Sequence, residues 1–347
     1  MPDAATPPVM SASDLSLGSQ LTEIVQTAIR QGHFEQEVTT PEGAIRFGVR
    51  DSATGHEFFA VNPKTGTEIP LQAEPPRVTA LGLIIKLNEF RRLRPAPPIL
   101  KPGRRPEESF AAEDCRFGCQ NAEAPNSILQ RAILLRLCGR KCELAVIPQL
   151  APLEPAHVLL VPCEGETFPH LDQLLFPELV ADMFAMSAGA PKWIFVFNSM
   201  HAGATVRHLH LQALRWPDSL PIERAVTRRE QGFTIIEGPR FPAGGFVFDL
   251  TDASRLTSAI EILQKRGYPL NLLLKAGRAY LFPRHPDHEI VASFPYSGFA
   301  SMEISGVIYT SSREAFEAAT DERINEVLAV TSLGNIRALA LFGPRGK

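Results

Sequence analysis

Cysteine is scarce in this chain of 347 residues: there are five, an odd number. An odd handful of thiols in a chain of this length argues against a disulfide framework. The N-terminal stretch MPDAATPPVMSASDLS has neither a basic start nor an apolar centre, so it does not read as a secretory signal, and a cytoplasmic location is expected. No apolar run approaches the length of a membrane span, which argues against a membrane protein. An excess of positive charge is also missing. Lysine and arginine total 35 against 38 acidic residues, a net charge of −3. Bulk attraction to nucleic acid or to an anionic membrane is therefore not expected. The chain is 44% apolar and 21% charged, the balance of a soluble globular protein, and is long enough for one large or two ordinary domains.

Against these absences stands one dense stretch, FVFNSMHAGATVRHLHLQAL, running from Phe195 to Leu214. At its centre His208, Leu209, His210, Leu211 and Gln212 alternate polar and apolar, the period of a half-buried strand. His208, His210 and Gln212 then share one face, and Leu209 and Leu211 anchor the other. Ahead of them Asn198, Ser199, Gly203 and Thr205 lie in a segment of small and polar residues, able to bring backbone N–H groups close to an anion. This arrangement permits attack on phosphorus by a neutral imidazole through a covalent nucleotidyl-histidine. A surface histidine pair and a metal-binding pair fit the same spacing.

Along the rest of the chain, LTEIVQTAIRQ (Leu21–Gln31) has helical apolar spacing and ends at Gly32. Short strand-like runs come next at Ile45–Val49 and Phe58–Val61. Arg91, Arg92 and Arg94 read as a solvated basic face. Residues 101–126 form a Pro/Gly/charge-rich connector. Ser127–Leu137 and Glu143–Ile147 read as a hairpin around Cys138–Cys142, Leu153–Cys163 as a loop and a buried strand, and Thr167–Met186 as an amphipathic helix. Beyond Trp216 a helix is expected over Ser254–Arg266, a hairpin over Leu270–Pro283 around Lys275-Ala276-Gly277, a strand over Phe299–Tyr309 and a helix over Glu314–Leu328. His285 and His288 read as exposed loop residues.

HLHLQ, with Asn198-Ser199 upstream and GAT between, resembles the histidine-triad superfamily in the branch whose third histidine is Gln. FNSMHAGATVRHLHLQA, together with YPLNLLLKAGRAYLFPR and MEISG, is most similar to the GDP-L-galactose and GDP-D-glucose phosphorylases. The resemblance implies an α+β fold of two tandem histidine-triad-like halves, the second degenerate, with a small β-rich N-terminal extension. The implied boundaries are 1–100 for the extension, 101–220 for the catalytic half and 221–347 for the degenerate half. It implies His210 as nucleophile, with His208 and Gln212 in support. Asn198, Ser199, Thr205, Arg207, Lys275 and Arg284 are the candidate substrate-binding residues, although Arg207 replaces a usual Asn and Gln149 stands in a segment that usually carries Asn; for Lys275 and Arg284 ordinary surface charge is the other reading. His157 reads as a structural, loop-bonding histidine. The implied reaction converts a nucleoside diphosphate hexose and phosphate to hexose-1-phosphate and nucleoside diphosphate, with no cofactor required. A homodimer fits the family.

Two alternatives share the chemistry, a dinucleoside polyphosphate phosphorylase and a hexose-1-phosphate nucleotidylyltransferase. A non-catalytic nucleotide-binding regulator is the third. Cys115 and Cys119, then Cys138 and Cys142, approximate the spacing of a four-thiolate structural zinc site; four reduced thiols are the other reading. Cys163 reads as a small buried apolar residue.

Overall fold

In the computed structural model, residues 16–40, 43–53, 55–71, 74–93, 115–121, 123, 127–128, 141–165, 167–237, 241, 243–291 and 299–342 are described. Helix α1 (Leu17–Arg30) buries Leu21, Ile24, Val25, Ala28 and Ile29 along one face. It starts four residues before the sequence expectation because the Ser16 hydroxyl accepts from the Ser19 N–H and caps it. Gly32, at φ 72°, turns the chain away. Strands β1 (Gln36–Thr40), β2 (Gly43–Ser52) and β3 (Gly55–Val61) then form a small antiparallel sheet.

Strands β4 (Arg77–Val78) and β5 (Ile84–Leu87) come next, and β5 pairs in parallel with the distant β15 (Val307–Thr310). The N-terminal region is thereby stitched to the far end of the chain. Lys86 of β5 reinforces the junction by donating to Glu154, whose carboxylate also accepts from Tyr309 Oη at 2.6 Å.

The main sheet has nine strands. In chain order they are β6 (Leu144–Pro148), β7 (His157–Pro162), β8 (Trp193–Asn198), β9 (Leu211–Arg215), β10 (Val226–Glu230), β11 (Phe233–Glu237), β12 (Phe246–Asp249), β13 (Leu270–Lys275) and β14 (Arg278–Pro283). They are arranged β10-β11-β12-β14-β13-β8-β9-β7-β6, with every neighbouring pair antiparallel. Helix α2 (Pro177–Gly189) lies between β7 and β8 in the chain, and α3 (Ala253–Lys265) between β12 and β13. Hairpin, helix, hairpin therefore occurs twice, with sheet orders β6-β7-β9-β8 and β11-β12-β14-β13. The two sets join at β8–β13, where Asn198 faces Asn271.

One face of the sheet carries the helices. Leu21, Leu179, Met183, Leu256 and Ile260 pack there against Leu160, Phe195, Leu211, Leu272 and Leu281. The other face carries two separate apolar clusters. One contains Val196, Leu214, Leu273 and Tyr280 under Ile85, Ile308 and Val327. The second contains Ala145, Ile147, Leu159 and Val161 under Cys115, Cys119, Cys163 and Phe168. Gln212 is paired in register with Leu159 of one cluster and Val196 of the other. The polar face of β9 thus lies in the seam between them.

Four sequence expectations change. Thr167–Met186 is helical only from Pro177, because residues 170–173 are engaged with the segment ahead of β9. Phe299–Tyr309 divides into the short helix α4 (Ser301–Ile304) and β15; Asn198 Oδ1 holds the Ser301 N–H and the Glu303 carboxylate holds the Ala300 N–H. Glu314–Leu328 divides into α5 (Arg313–Ala318) and α6 (Asp321–Thr331), with Thr320 capping the second, and α7 (Asn335–Phe342) comes after them. The expected partner of Glu143–Ile147 falls largely outside the described residues, and β6 pairs with β7. Among the described residues, no helix is long and apolar enough to cross a membrane.

Candidate active site

His208 to His210 do not belong to a strand; β9 begins at Leu211. The alternation nevertheless holds: Leu209 and Leu211 enter the helix-side core, and His210 is not part of it. His210 is buried at 6% exposure. Its Nδ1–H donates to the His208 carbonyl at 2.7 Å. A carbonyl can only accept, so Nδ1 carries the proton and Nε2 keeps its lone pair. Burial lowers the His210 pKa, which keeps the ring neutral, while the bond to the carbonyl opposes this. Phe117 stands edge-on to the ring with centroids 5.1 Å apart.

Gln212 is oriented from behind. The Leu153 N–H donates to His157 Nδ1 at 3.0 Å, so the proton of this ring sits on Nε2, which donates to Gln212 Oε1 at 3.0 Å. The amide nitrogen of Gln212 is thereby directed away from His157. Burial first, then the nearby Arg91 cation, pushes the His157 pKa down to about 3. Arg91 is therefore not part of a solvated face: it is half-buried and donates to the Ala151 carbonyl at 3.3 Å.

The His157 shift gives a signed prediction. Between pH 6.5 and about 3 the unfolded chain binds a proton on His157 that the native protein does not, so this residue's contribution falls as the pH drops. By denaturant titration, the stability deficit of His157→Gln relative to wild type is expected to shrink by about 2 kcal/mol from pH 7 to pH 5. An unchanged deficit would show that the native ring takes up the proton as readily as the unfolded one.

The other candidate residues occupy varied settings. Asn198 ends β8 at the register of His210. Its Oδ1 accepts from Asn271 Nδ2 at 2.7 Å and from the Ser301 N–H at 3.0 Å, which fixes the amide; Nδ2 takes no part in that network. Ser199 is structural, with Oγ accepting the Leu270 N–H at 2.8 Å. The N–H groups of Ala202, Gly203 and Ala204 are used internally, on Ser199 O, Glu289 and Ser199 O, and so do not form the anticipated anion cradle. Gly203, at φ 98°, packs so closely that a Cβ there would lie 2.6 Å from Ala300 Cβ. Among the described residues, the N–H groups of Thr205 and Val206 have no acceptor. Thr205 itself is exposed.

The three candidate cations have partners within the protein. Arg207 Nε donates to Asp172 at 2.9 Å in an exposed pair. Lys275 is buried at 6% and binds Glu223 at 2.8 Å and the Asp218 carbonyl. Arg284 is fully buried, donating to the Thr331 and Phe299 carbonyls and to Asn271 Oδ1. Lys275 and Arg284 both spend donors on partners within the fold. Gln149 is half-buried, with Oε1 accepting from the Ala151 N–H at 3.5 Å.

His208 turns its ring away from the His210 site. Cys115, Cys119, His170 and His208 each present one ligand atom, and all four atoms lie within 4.8 Å of one another. Cys115 Sγ and His208 Nδ1 are 3.5 Å apart, as are Cys119 Sγ and His170 Nδ1. Zinc–sulfur and zinc–nitrogen bond lengths in a tetrahedron give an S···N edge of about 3.6 Å. The donor set therefore fits zinc. The quartet differs from the sequence reading. Cys142 is elsewhere, its N–H donating to Asp182 of α2 at 2.8 Å, and Cys138 falls outside the described residues. His170 went unnoticed in the sequence because it is a lone histidine with no local partner.

This geometry can be compared with known proteins. Residues 218–337 match the family model described as GDPGP1-like, C-terminal domain. Over 290 residues the chain is 26% identical to Arabidopsis thaliana GDP-L-galactose phosphorylase 2, covering 74% of this chain and 66% of that one. Over 285 residues it is 27% identical to Bos taurus GDP-D-glucose phosphorylase 1, covering 73% and 70%. The chain is similar in sequence to the GDP-hexose phosphorylases. The match spans 66% of GDP-L-galactose phosphorylase 2 and 46% of GDP-L-galactose phosphorylase 1, under two thirds of each plant relative. The structure of yeast Ap4A phosphorylase Apa2 in complex with AMP superposes with a TM-score of 0.56 at 15% identity, covering 92% of this chain and 98% of that one. This establishes the α+β, histidine-triad-like fold that the sequence resemblance implied. The GDPGP1-like segment covers the second hairpin–helix–hairpin set together with α4, β15, α5 and α6.

Proposed function

We propose that the protein is a GDP-hexose phosphorylase working through a guanylyl-His210 intermediate, with 101–220 as the catalytic half and 221–347 as its degenerate copy. The observation that carries the reading is the 2.7 Å bond from His210 Nδ1–H to the His208 carbonyl, which leaves Nε2 unprotonated for attack. In the first step Nε2 forms a bond to the α-phosphorus, the bond from that phosphorus to the bridging oxygen breaks, and hexose-1-phosphate leaves. In the second step an oxygen of inorganic phosphate bonds to the same phosphorus, the P–N bond breaks, and GDP leaves. The Gln212 amide and the Thr205 and Val206 N–H groups supply donors for the oxygens on which charge develops.

Cys115, Cys119, His170 and His208 would hold a structural zinc. Four protein donors close the coordination shell, so the ion supplies folding energy and no open position. These residues suit a reducing, cytoplasmic setting.

The test is a panel of GDP-, ADP- and UDP-sugars with a dinucleoside polyphosphate, first without phosphate and then with it. Intact-mass analysis without phosphate is expected to show a guanylyl adduct only with GDP-hexose, and added phosphate should discharge it as GDP. Turnover with no adduct in a single-turnover experiment, or a preference for another nucleotide, would overturn the reading.

A further inference from the structure

Four consecutive residues, His170-Leu171-Asp172-Gln173, engage four consecutive residues ending at the nucleophile. His170 shares the candidate metal cluster with His208, their ring centroids 5.3 Å apart. The Leu171 carbonyl accepts the Leu209 N–H at 2.8 Å. Asp172 pairs with Arg207. Gln173 takes His210: its Oε1 accepts the His210 N–H at 2.9 Å, and its Nε2 donates to the His210 carbonyl at 3.1 Å and to the Asn198 carbonyl at 2.9 Å.

We propose that Gln173 is a positioning residue that fixes the backbone of His210 in the geometry for attack; this rests on the reading of His210 as the nucleophile. His210 sits one residue before β9, where no strand pairs with it. Its N–H and C=O are buried with it and must find partners. A neighbouring strand would supply them at the cost of laying a second backbone beside the ring. A single amide, itself only 2% exposed, supplies both and adds a third bond to the end of β8. The nucleophile, just ahead of β9, and Asn198, at the end of the adjacent β8, are thereby held by one rigid group. Attack on phosphorus depends on the position of Nε2 to within a fraction of an ångström, and a 1 Å misplacement costs about 100-fold in rate.

The experiment measures guanylyl transfer from labelled GDP-hexose in a single turnover, alongside GDP affinity, for wild type, Gln173→Glu, Gln173→Met and Lys265→Ala. Gln173→Glu retains the acceptor for the His210 N–H and loses both donor bonds; Gln173→Met loses all three at similar length. Both are expected to slow adduct formation by about 100-fold, with GDP affinity within threefold of wild type. Lys265→Ala, which breaks an exposed pair with Glu261 on α3, should stay within threefold in rate. Should Gln173→Met fail to fold, Gln173→Glu decides. Wild-type rates in the Gln173 variants, or GDP binding lost in proportion to rate, would overturn the positioning role. Absence of any adduct in wild type would overturn the nucleophile reading and this inference with it.

Discussion

His210→Ala is expected to lower kcat/KM for GDP-hexose by about 10⁴-fold or more and to abolish the guanylyl adduct. The effect is large because neither neighbouring histidine is placed to substitute: His208 turns Nδ1 to Cys115, and His157 commits both nitrogens to Leu153 and Gln212. Substrate binding should survive, since the donors of Gln212, Thr205 and Val206 do not depend on the imidazole. The pH profile offers a second check. Burial lowers the His210 pKa, so the reactive neutral ring persists to lower pH than for a free histidine. The acid limb of kcat/KM is therefore expected below pH 6.5, the ordinary histidine value of about 6.5 marking where an exposed ring would already be half protonated. An adduct of unchanged mass in His210→Ala, or one mapped by peptide sequencing to another residue, would remove His210 from the chemistry.

How much of this was legible depends on how local each signal is. The alternation in His208–Gln212 placed Leu209 and Leu211 in the core, because neighbours two apart share a face whatever the rest of the chain does. The hairpin of β13 and β14 was equally plain from Lys275-Ala276-Gly277, whose last two residues take positive φ. Contacts across long separations left no comparable trace. Gln173 sits in a stretch with helix-like apolar spacing, and only the folded chain shows its amide spent on His210. Local spacing also misled: Cys138 and Cys142 matched Cys115 and Cys119 in separation, yet Asp182 draws the Cys142 backbone to α2, and two histidines complete the set. For Lys275 and Arg284 the sequence left phosphate contact and surface charge open; the folded chain buries both, Lys275 against Glu223 and a carbonyl, Arg284 against carbonyls and an amide.

The same quartet carries the other large expected effect. Purified protein should contain one zinc per chain by elemental analysis, while Cys115→Ser and Cys119→Ser should contain almost none and melt about 10 °C or more lower. A structural zinc is worth several kcal/mol of folding energy or more, and each kcal/mol moves the melting temperature of a chain this size by about 2 °C. Without a cation, burial and the neighbouring Cys115 push the Cys119 thiol up to about 12, so that thiol stays protonated; zinc binding displaces its proton. The decisive comparison is with Cys142→Ser, which lies outside the cluster and should keep its zinc in full. Loss of zinc in Cys142→Ser, or full stability in a zinc-free Cys115→Ser, would contradict the assignment. The loss should also reach the active site. His208 contributes its ring to the quartet and its carbonyl to His210 Nδ1, so releasing the ring frees the carbonyl that fixes the nucleophile's tautomer. Folded but zinc-depleted protein is therefore expected to lose adduct formation before it loses GDP binding.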